Sequence, residues 1–155
     1  MNKIGSVLIA LTLATPLIAP NPAAAEGALA VGSTGDVAKD GVEIGISSNY
    51  ATPELASAHA IVDCRDNNNS APKAAPNCKV IRTFTRQCAA SAFDPKSGTP
   101  GVGWAVAATQ DDAESQAVSN CQATAGAGRT QFCVANKSAT RCDTNDSNTD
   151  PVAPK

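Results

Sequence analysis

The chain is poor in the residues that build large hydrophobic cores and common catalytic sites. Its 155 residues include one Trp, one Tyr, three Phe and one His. Alanine dominates the apolar residues, and because an alanine side chain buries little area, packing alone stabilises such a domain weakly. No phosphate-binding loop, dinucleotide fingerprint or nucleophile elbow is present, which argues against the enzyme classes built on those motifs.

The chain also lacks a strong charge of one sign, with 12 basic and 14 acidic residues. A near balance argues against nucleic acid as a partner, because nucleic-acid-binding domains are normally strongly basic. It provides no attraction to anionic membranes either.

No apolar run is long enough to cross a membrane. The longest, residues 4–18, is interrupted by Ser, Thr and Pro and is shorter than the ~20 residues that a spanning helix needs. It follows Lys3 and precedes the small residues 23–25, the pattern of a cleaved signal peptide over residues 1–25. We therefore expect a secreted or periplasmic protein with no membrane span after cleavage.

Six cysteines are present, all beyond the predicted signal peptide. An even number in a small exported chain predicts a disulfide framework, which would supply the stability that a thin core cannot. They are Cys64, Cys78, Cys88, Cys121, Cys133 and Cys142.

The chain contains an internal repeat, since ATPELASAHAIVDC at 51–64 recurs as ATQDDAESQAVSNC at 108–121. Each copy has the N-cap and spacing of a helix, follows two apolar runs around a turn, and precedes a run rich in β-branched residues. The sequence thus predicts a small disulfide-stapled α+β domain, residues 26–142, made of two tandem hairpin-helix-strand repeats. The repeats cover 27–88 and 89–142, and the polar segment 143–155 is predicted to be a disordered tail.

Periodicity predicts which side chains share a face. The predicted inner face of the first helix is Leu55, Ala58, Ile61 and Val62, and that of the second is Ala113, Ala117, Val118 and Cys121. The small residues on these faces predict close approach of helix and sheet. Val80 and Phe84 are predicted to share one face of the strand after Cys78.

Sequence alone leaves 15 ways to pair six cysteines. Two equivalent repeats should form equivalent disulfide bonds, which favours Cys64–Cys78 in the first and Cys121–Cys133 in the second. The remaining bond, Cys88–Cys142, would then join the two halves. Each local loop would stabilise the fold by roughly 3 kcal/mol.

These features resemble a family of small bacterial exported proteins known as domain of unknown function 4189. The resemblance covers roughly residues 27–142 and depends on the doubled order of cysteines. The matching positions are Gly45, Asn49-Tyr50, Cys64, Asn77 through Val80, Cys88-Ala89, Gly103-Trp104, Cys121, Cys133 and Cys142. The resemblance implies export and the fold class, and it implies no activity or catalytic residues.

The single histidine offers one candidate catalytic site. His59 and Asp63 lie four residues apart on the predicted helix, and Ser57 or Ser91 could serve as nucleophile. The alternative is a surface contact between helix neighbours, and we favour it because the second repeat has Gln116 and Asn120 at the corresponding positions.

Metal sites are not indicated. The cysteines lack the close pairs typical of zinc sites. Asp143, Asn145, Ser147 and Thr149 alternate as in a calcium loop, but the required Gly and closing Glu are missing. We expect no metal and no cofactor.

Basic residues suggest a binding patch. Packing the repeats side by side would bring together Lys79, Arg82, Arg86, Arg129 and Arg141, with Trp104 as an aromatic member. Such a patch could hold an acidic polysaccharide or protein. Alternatively, the charges only protect an edge strand from aggregation, and we favour this second explanation of the charges.

The expected function is that of an exported, non-catalytic binding module whose partner is an envelope or extracellular protein or a cell-wall glycan. A small secreted hydrolase, a hydrolase inhibitor and a passive envelope protein are the alternatives. The oligomeric state is left open.

Overall fold

The computed structural model of the protein describes residues 26–66 and 70–144, so the predicted signal peptide and residues 145–155 of the predicted tail lie outside the described residues. The helices are α1 (Val37–Asp40), α2 (Pro53–Asp66) and α3 (Gln110–Thr124), and single turns of 3-10 helix cover Ala75–Asn77 and Thr130–Phe132. The strands are β1 (Glu26–Ser33), β2 (Val42–Tyr50), β3 (Lys79–Phe84), β4 (Cys88–Phe93), β5 (Val102–Ala107), β6 (Val134–Ala135) and β7 (Arg141–Cys142). The α+β prediction is confirmed, whereas the tandem-repeat relation stays a prediction.

The strands form two antiparallel sheets. The first has the order β2-β1-β3, and the second has the order β5-β4-β6 with β7 also paired to β4. β1–β2 and β4–β5 are the two hairpins expected from the apolar runs.

The elements stack as helix, sheet, sheet, helix. In β1, Ala28 and Ala30 pack with α2, whereas Leu29 and Val31 belong to the central core between the sheets. In the second sheet, Ala90 and Ala92 of β4 and Ala105 and Ala107 of β5 pack against α3. From that sheet Ala89, Trp104 and Val106 reach the central core. Side chains alternate across each strand, so one strand serves two cores.

Both helices approach their sheets too closely for ordinary side chains. A Cβ added at Gly45 would lie 2.1 Å from the carbonyl oxygen of Ala60, and one added at Gly103 would lie 2.2 Å from the amide nitrogen of Cys121. The expected close approach of helix backbone to sheet is therefore present.

The inner face predicted for α2 is wrong. Its buried residues are Ala56, Ala60 and Cys64, while Leu55 and Val62 are 49% and 50% exposed. The physical reason is the short distance to the sheet, which admits Ala and Cys but not Leu. In α3 the predicted residues Ala113, Ala117 and Cys121 are buried and Val118 is partly buried.

The prediction that Val80 and Phe84 share a face is also wrong. The pairing of β1 with β3 shifts between Leu29 and Ala30, because the β3 side has one extra residue at Ile81. Such a bulge reverses the alternation of side chains beyond it. Val80 consequently packs with α2, and Phe84 lies in the central core.

The structure pairs the six cysteines as the repeat argument favoured. The bonds are Cys64–Cys78, Cys88–Cys142 and Cys121–Cys133. The third bond does not join two halves, however, because Cys88 begins β4 and lies opposite Cys142 of β7 within the second sheet. The two sheets are held together by the central core and by polar contacts of Asp143.

Candidate functional site

Arg129, one of the predicted patch residues, has a structural role. Its guanidinium forms a two-point ion pair with the buried carboxylate of Asp94, through Nε and through Nη2 at 2.6 Å. It also lies over the Phe132 ring, 4.6 Å from the centroid. The hydrogen bonds from Arg129 lower the pKa of Asp94 to about 2. Arg129 therefore stabilises the end of the second sheet through its ion pair with Asp94.

Trp104 is not a surface aromatic either. Its half-buried side chain packs against the central core, and its carbonyl oxygen accepts a hydrogen bond from Asn120 Nδ2 at 2.8 Å. Little of the Trp104 ring is therefore accessible for a ligand to stack on.

Three of the predicted cations remain exposed along β3 and its exit, and we name Lys79, Arg82 and Arg86 the basic edge. An odd separation would normally place Lys79 and Arg82 on opposite faces of a strand. The bulge at Ile81 shifts the alternation by one residue, so Lys79 and Arg82 lie on the same face. Lys79 pairs with Val31 and Arg82 with Leu29, whose side chains share one face of β1. Across residues 26–66 and 70–144, no ion pair involves these three side chains.

β3 is the terminal strand of its sheet. It pairs with β1 on one side, and in the described part of the chain no strand pairs with its other side. Its outer backbone groups are thus placed to pair with another extended chain. The basic edge combines a row of cations with an unpaired strand.

Arg141 lies in a different neighbourhood. On β7 it pairs with Ala89, and its Nη1 donates to the carbonyl oxygens of Ser138 and Thr140 at 2.8 and 2.9 Å. Its charge acts on Asp63 of α2. The six predicted residues consequently do not form one patch.

The single histidine stacks on the single tyrosine. The rings of His59 and Tyr50 are 4.3 Å apart between centroids and inclined by 22°. Burial raises the pKa of the Asp63 carboxyl, an effect that the charges of His59 and Arg141 oppose. Burial, with a smaller effect of Asp63, raises the pKa of Tyr50. Three titratable side chains therefore lie together at the edge of α2.

This cluster does not assemble a serine nucleophile. Ser57 is two residues from His59, and such positions point about 200° apart around a helix. Ser91 is buried on β4 of the other sheet, opposite Trp104. Among the described residues neither hydroxyl bonds to His59, so the geometry of a Ser-His-Asp triad is absent from this part of the chain.

Two buried carboxylates, Glu43 and Asp143, organise the backbone, a role that the sequence did not predict for either. Glu43 is fully buried, and its Oε1 accepts from Ser70 Oγ at 3.0 Å and from the Ala71 amide at 2.5 Å. Asp143, predicted as the first residue of the tail, is 3% exposed. It belongs to the folded domain, and the remaining residues of the suggested calcium loop lie outside the described residues.

Asp143 joins the two sheets. Its Oδ1 accepts from the Asn49 amide at 3.2 Å and its Oδ2 from the Arg86 amide at 2.9 Å, while its own amide donates to the Gln87 carbonyl oxygen at 2.8 Å. Asn49 and Arg86 have φ angles of +64° and +53°. The sequence could have indicated that Asp143 belongs to the folded domain, because it directly follows Cys142, which a disulfide holds in place.

Metal and membrane features can be stated for the described residues only. There, no group of three or more His, Cys, Asp or Glu side chains could hold a metal ion, and all six cysteines are in disulfides. None of the described helices has the length and apolar character needed to span a bilayer.

Fold and disulfides define the class of protein: a small α+β domain of two sheets with three disulfides, which indicate an oxidising, extracytoplasmic environment. The chain belongs to the family described as Domain of unknown function (DUF4189), which matches residues 27–142. No curated protein and no solved structure matches the chain.

Proposed function

We propose that the protein is an exported, non-catalytic binding module of the cell envelope or the medium that holds an extended acidic segment of a partner protein along the basic edge. The observation that carries the proposal is that Lys79 and Arg82 share one face of a terminal strand and, in the described part of the chain, form no ion pair. By contrast, Arg129 and Lys73 are both paired with carboxylates.

The dimensions favour an extended ligand. β3 covers roughly 17 Å at the rise of a β-strand, from Lys79 at its first residue to Phe84, and Arg86 follows two residues beyond its end. Cations spread over such a length cannot all reach one small anion. They suit a chain with acidic side chains at intervals.

The unpaired side of β3 favours a protein over a glycan. A peptide that lies along the strand can exchange backbone hydrogen bonds with it, and its acidic side chains can meet the cations. An acidic polysaccharide offers the charges but no backbone amides. Trp104, the aromatic member of the predicted patch, is itself half-buried and offers little of its ring to a sugar.

The disulfides and the N-terminal sequence support a partner outside the cytoplasm. The disulfides suit an oxidising compartment, and residues 1–25 have the sequence pattern of a signal peptide. A partner in the envelope or the medium would meet the basic edge there.

The test is binding of a fluorescent peptide of alternating Glu and Thr to the oxidised protein, measured by anisotropy at several salt concentrations. We expect binding that weakens with salt and is at least tenfold weaker in K79E/R82E. The matched control is K39E/K137E, which changes net charge equally at two other exposed lysines. Equal losses in both variants would refute the site, and binding of polygalacturonate but not the peptide would favour a glycan partner.

A further inference from the structure

The two long helices differ on their outer faces. α2 exposes Leu55, Ala58 and Val62. In the overlay of the two copies the corresponding residues of α3 are Asp112, Ser115 and Ser119, all exposed. Both helices bury corresponding residues, with Ala56, Ala60 and Cys64 matching Ala113, Ala117 and Cys121. Because the same packing tolerates polar residues on α3, folding does not require the apolar face of α2.

The spacing of the exposed residues is that of a helix-packing seam. Leu55, Ala58 and Val62 are at positions i, i+3 and i+7, which align along one side of a helix for two turns. The small Ala58 lies between the two larger side chains, so a second helix could approach closely at the centre of the seam.

The flanking charges specify the second helix. Glu54 and Arg65 are separated by 11 residues and so by only about 20° around the helix, which puts both on one flank near opposite ends. When two copies of α2 pack antiparallel about a twofold axis, the same flanks adjoin. Glu54 of each copy then lies beside Arg65 of the other.

A parallel arrangement about a twofold axis would instead bring opposite flanks together, so that neither Glu54 nor Arg65 of one copy would lie beside Glu54 or Arg65 of the other. On the opposite flank, Asp66 near the end of one helix would face the N-terminus of the other, where the helix dipole favours negative charge. The antiparallel arrangement therefore forms two Glu54–Arg65 pairs that a parallel arrangement would lack.

We propose that the outer face of α2 is a self-association surface, which pairs antiparallel with α2 of a second copy of this chain. The pairing is isologous, with Leu55 of each copy beside Val62 of the other. It does not depend on the proposed function, and it would present two basic edges on one particle. A single helix pair buries less than a standard interface of about 1,600 Å², so the dimer is expected to be weak, with a dissociation constant on the order of micromolar or higher.

The first test is sedimentation equilibrium of the oxidised protein up to millimolar concentration. We expect a monomer–dimer equilibrium whose dissociation constant rises at least tenfold in V62D. The matched control is S119D, which introduces the same charge at the corresponding exposed position of α3 and should leave the equilibrium unchanged. Circular dichroism of both variants checks that the fold is retained, since both sites are exposed.

A charge exchange tests the orientation. E54R and R65E should each weaken the dimer, and E54R/R65E should restore it, because the cross-pairs re-form with reversed signs. A protein that stays monomeric at millimolar concentration would overturn the proposal. So would a dimer that V62D does not weaken, and a double variant without rescue would refute the antiparallel arrangement.

Discussion

Removing the Asp143 carboxylate should weaken the contact between the two sheets. The buried carboxylate accepts the amides of Asn49 and Arg86, two residues held at positive φ. A hydrogen bond to a charged group contributes about 1.5–3 kcal/mol, and an amide left without a partner adds a desolvation cost. We therefore expect Asp143→Ala to lower the free energy of unfolding by about 3 kcal/mol or more.

A loss of that size is a large fraction of the ~5–15 kcal/mol that stabilises a typical domain. It corresponds to a decrease of roughly 10 °C in the unfolding midpoint of a domain of this size. Thermal and urea unfolding of the oxidised protein, followed by circular dichroism, would measure it.

Two controls separate the hydrogen bonds from backbone strain. Asp143→Asn keeps the size but can accept fewer amides, so an intermediate loss is expected. Arg86→Gly relieves the positive φ while keeping the amide, and it should be neutral or stabilising. If Asp143→Ala unfolds within about 0.5 kcal/mol of the unmodified protein, the assigned role of the carboxylate is wrong.

Three further predictions follow from individual contacts. Gly45→Ala should destabilise by about 2 kcal/mol or more, because its Cβ would collide with α2, whereas Gly126→Ala, with nothing within 4 Å, should be nearly neutral in the same urea titration. The pKa of Asp94 is lowered from 3.8 to about 2, so its ion pair stabilises the fold above pH 4 and this contribution disappears as the pH falls through about 2. Asp94→Asn should flatten that part of a stability–pH profile, and an unchanged profile would contradict the assignment. His59→Ala should leave peptide binding at the basic edge unchanged, and a loss of binding or of a measured hydrolysis with the fold intact would favour the Tyr50–His59–Asp63 cluster as the site.

Signals in the sequence were sufficient for the two hairpins, the two long helices, β3 and the disulfides, but not for α1 or the 3-10 turns. Turn residues around Gly predicted both hairpins, and Thr109 with its acidic first turn predicted the start of α3, where its side chain accepts from the Asp112 amide. The doubled cysteine order favoured the three bonds that the structure contains. The hairpins and helix starts depend on residues near one another in the chain, and the disulfide pairing was indicated by the internal repeat.

The binding patch shows what spacing could not reveal. Lys79 and Arg82 share a face only because of a bulge, and Arg129 is occupied by Asp94, which lies 35 residues earlier in the chain. Neither the bulge nor that ion pair has a local sequence signal. The six candidate residues were therefore divided among the basic edge, a structural ion pair, the central core and strand β7.

By itself, the sequence determined the two hairpins, the two long helices, the disulfide framework, the family and the pattern of an exported chain, because each follows from composition, from the spacing of residues or from the internal repeat. Only the tertiary structure decided which face of α2 is buried. That choice depended on the distance between helix and sheet, and Gly45 makes the distance so short that Ala56 and Ala60 turn inward. Leu55 and Val62 are left outside for the same reason, since their side chains do not fit between the two backbones.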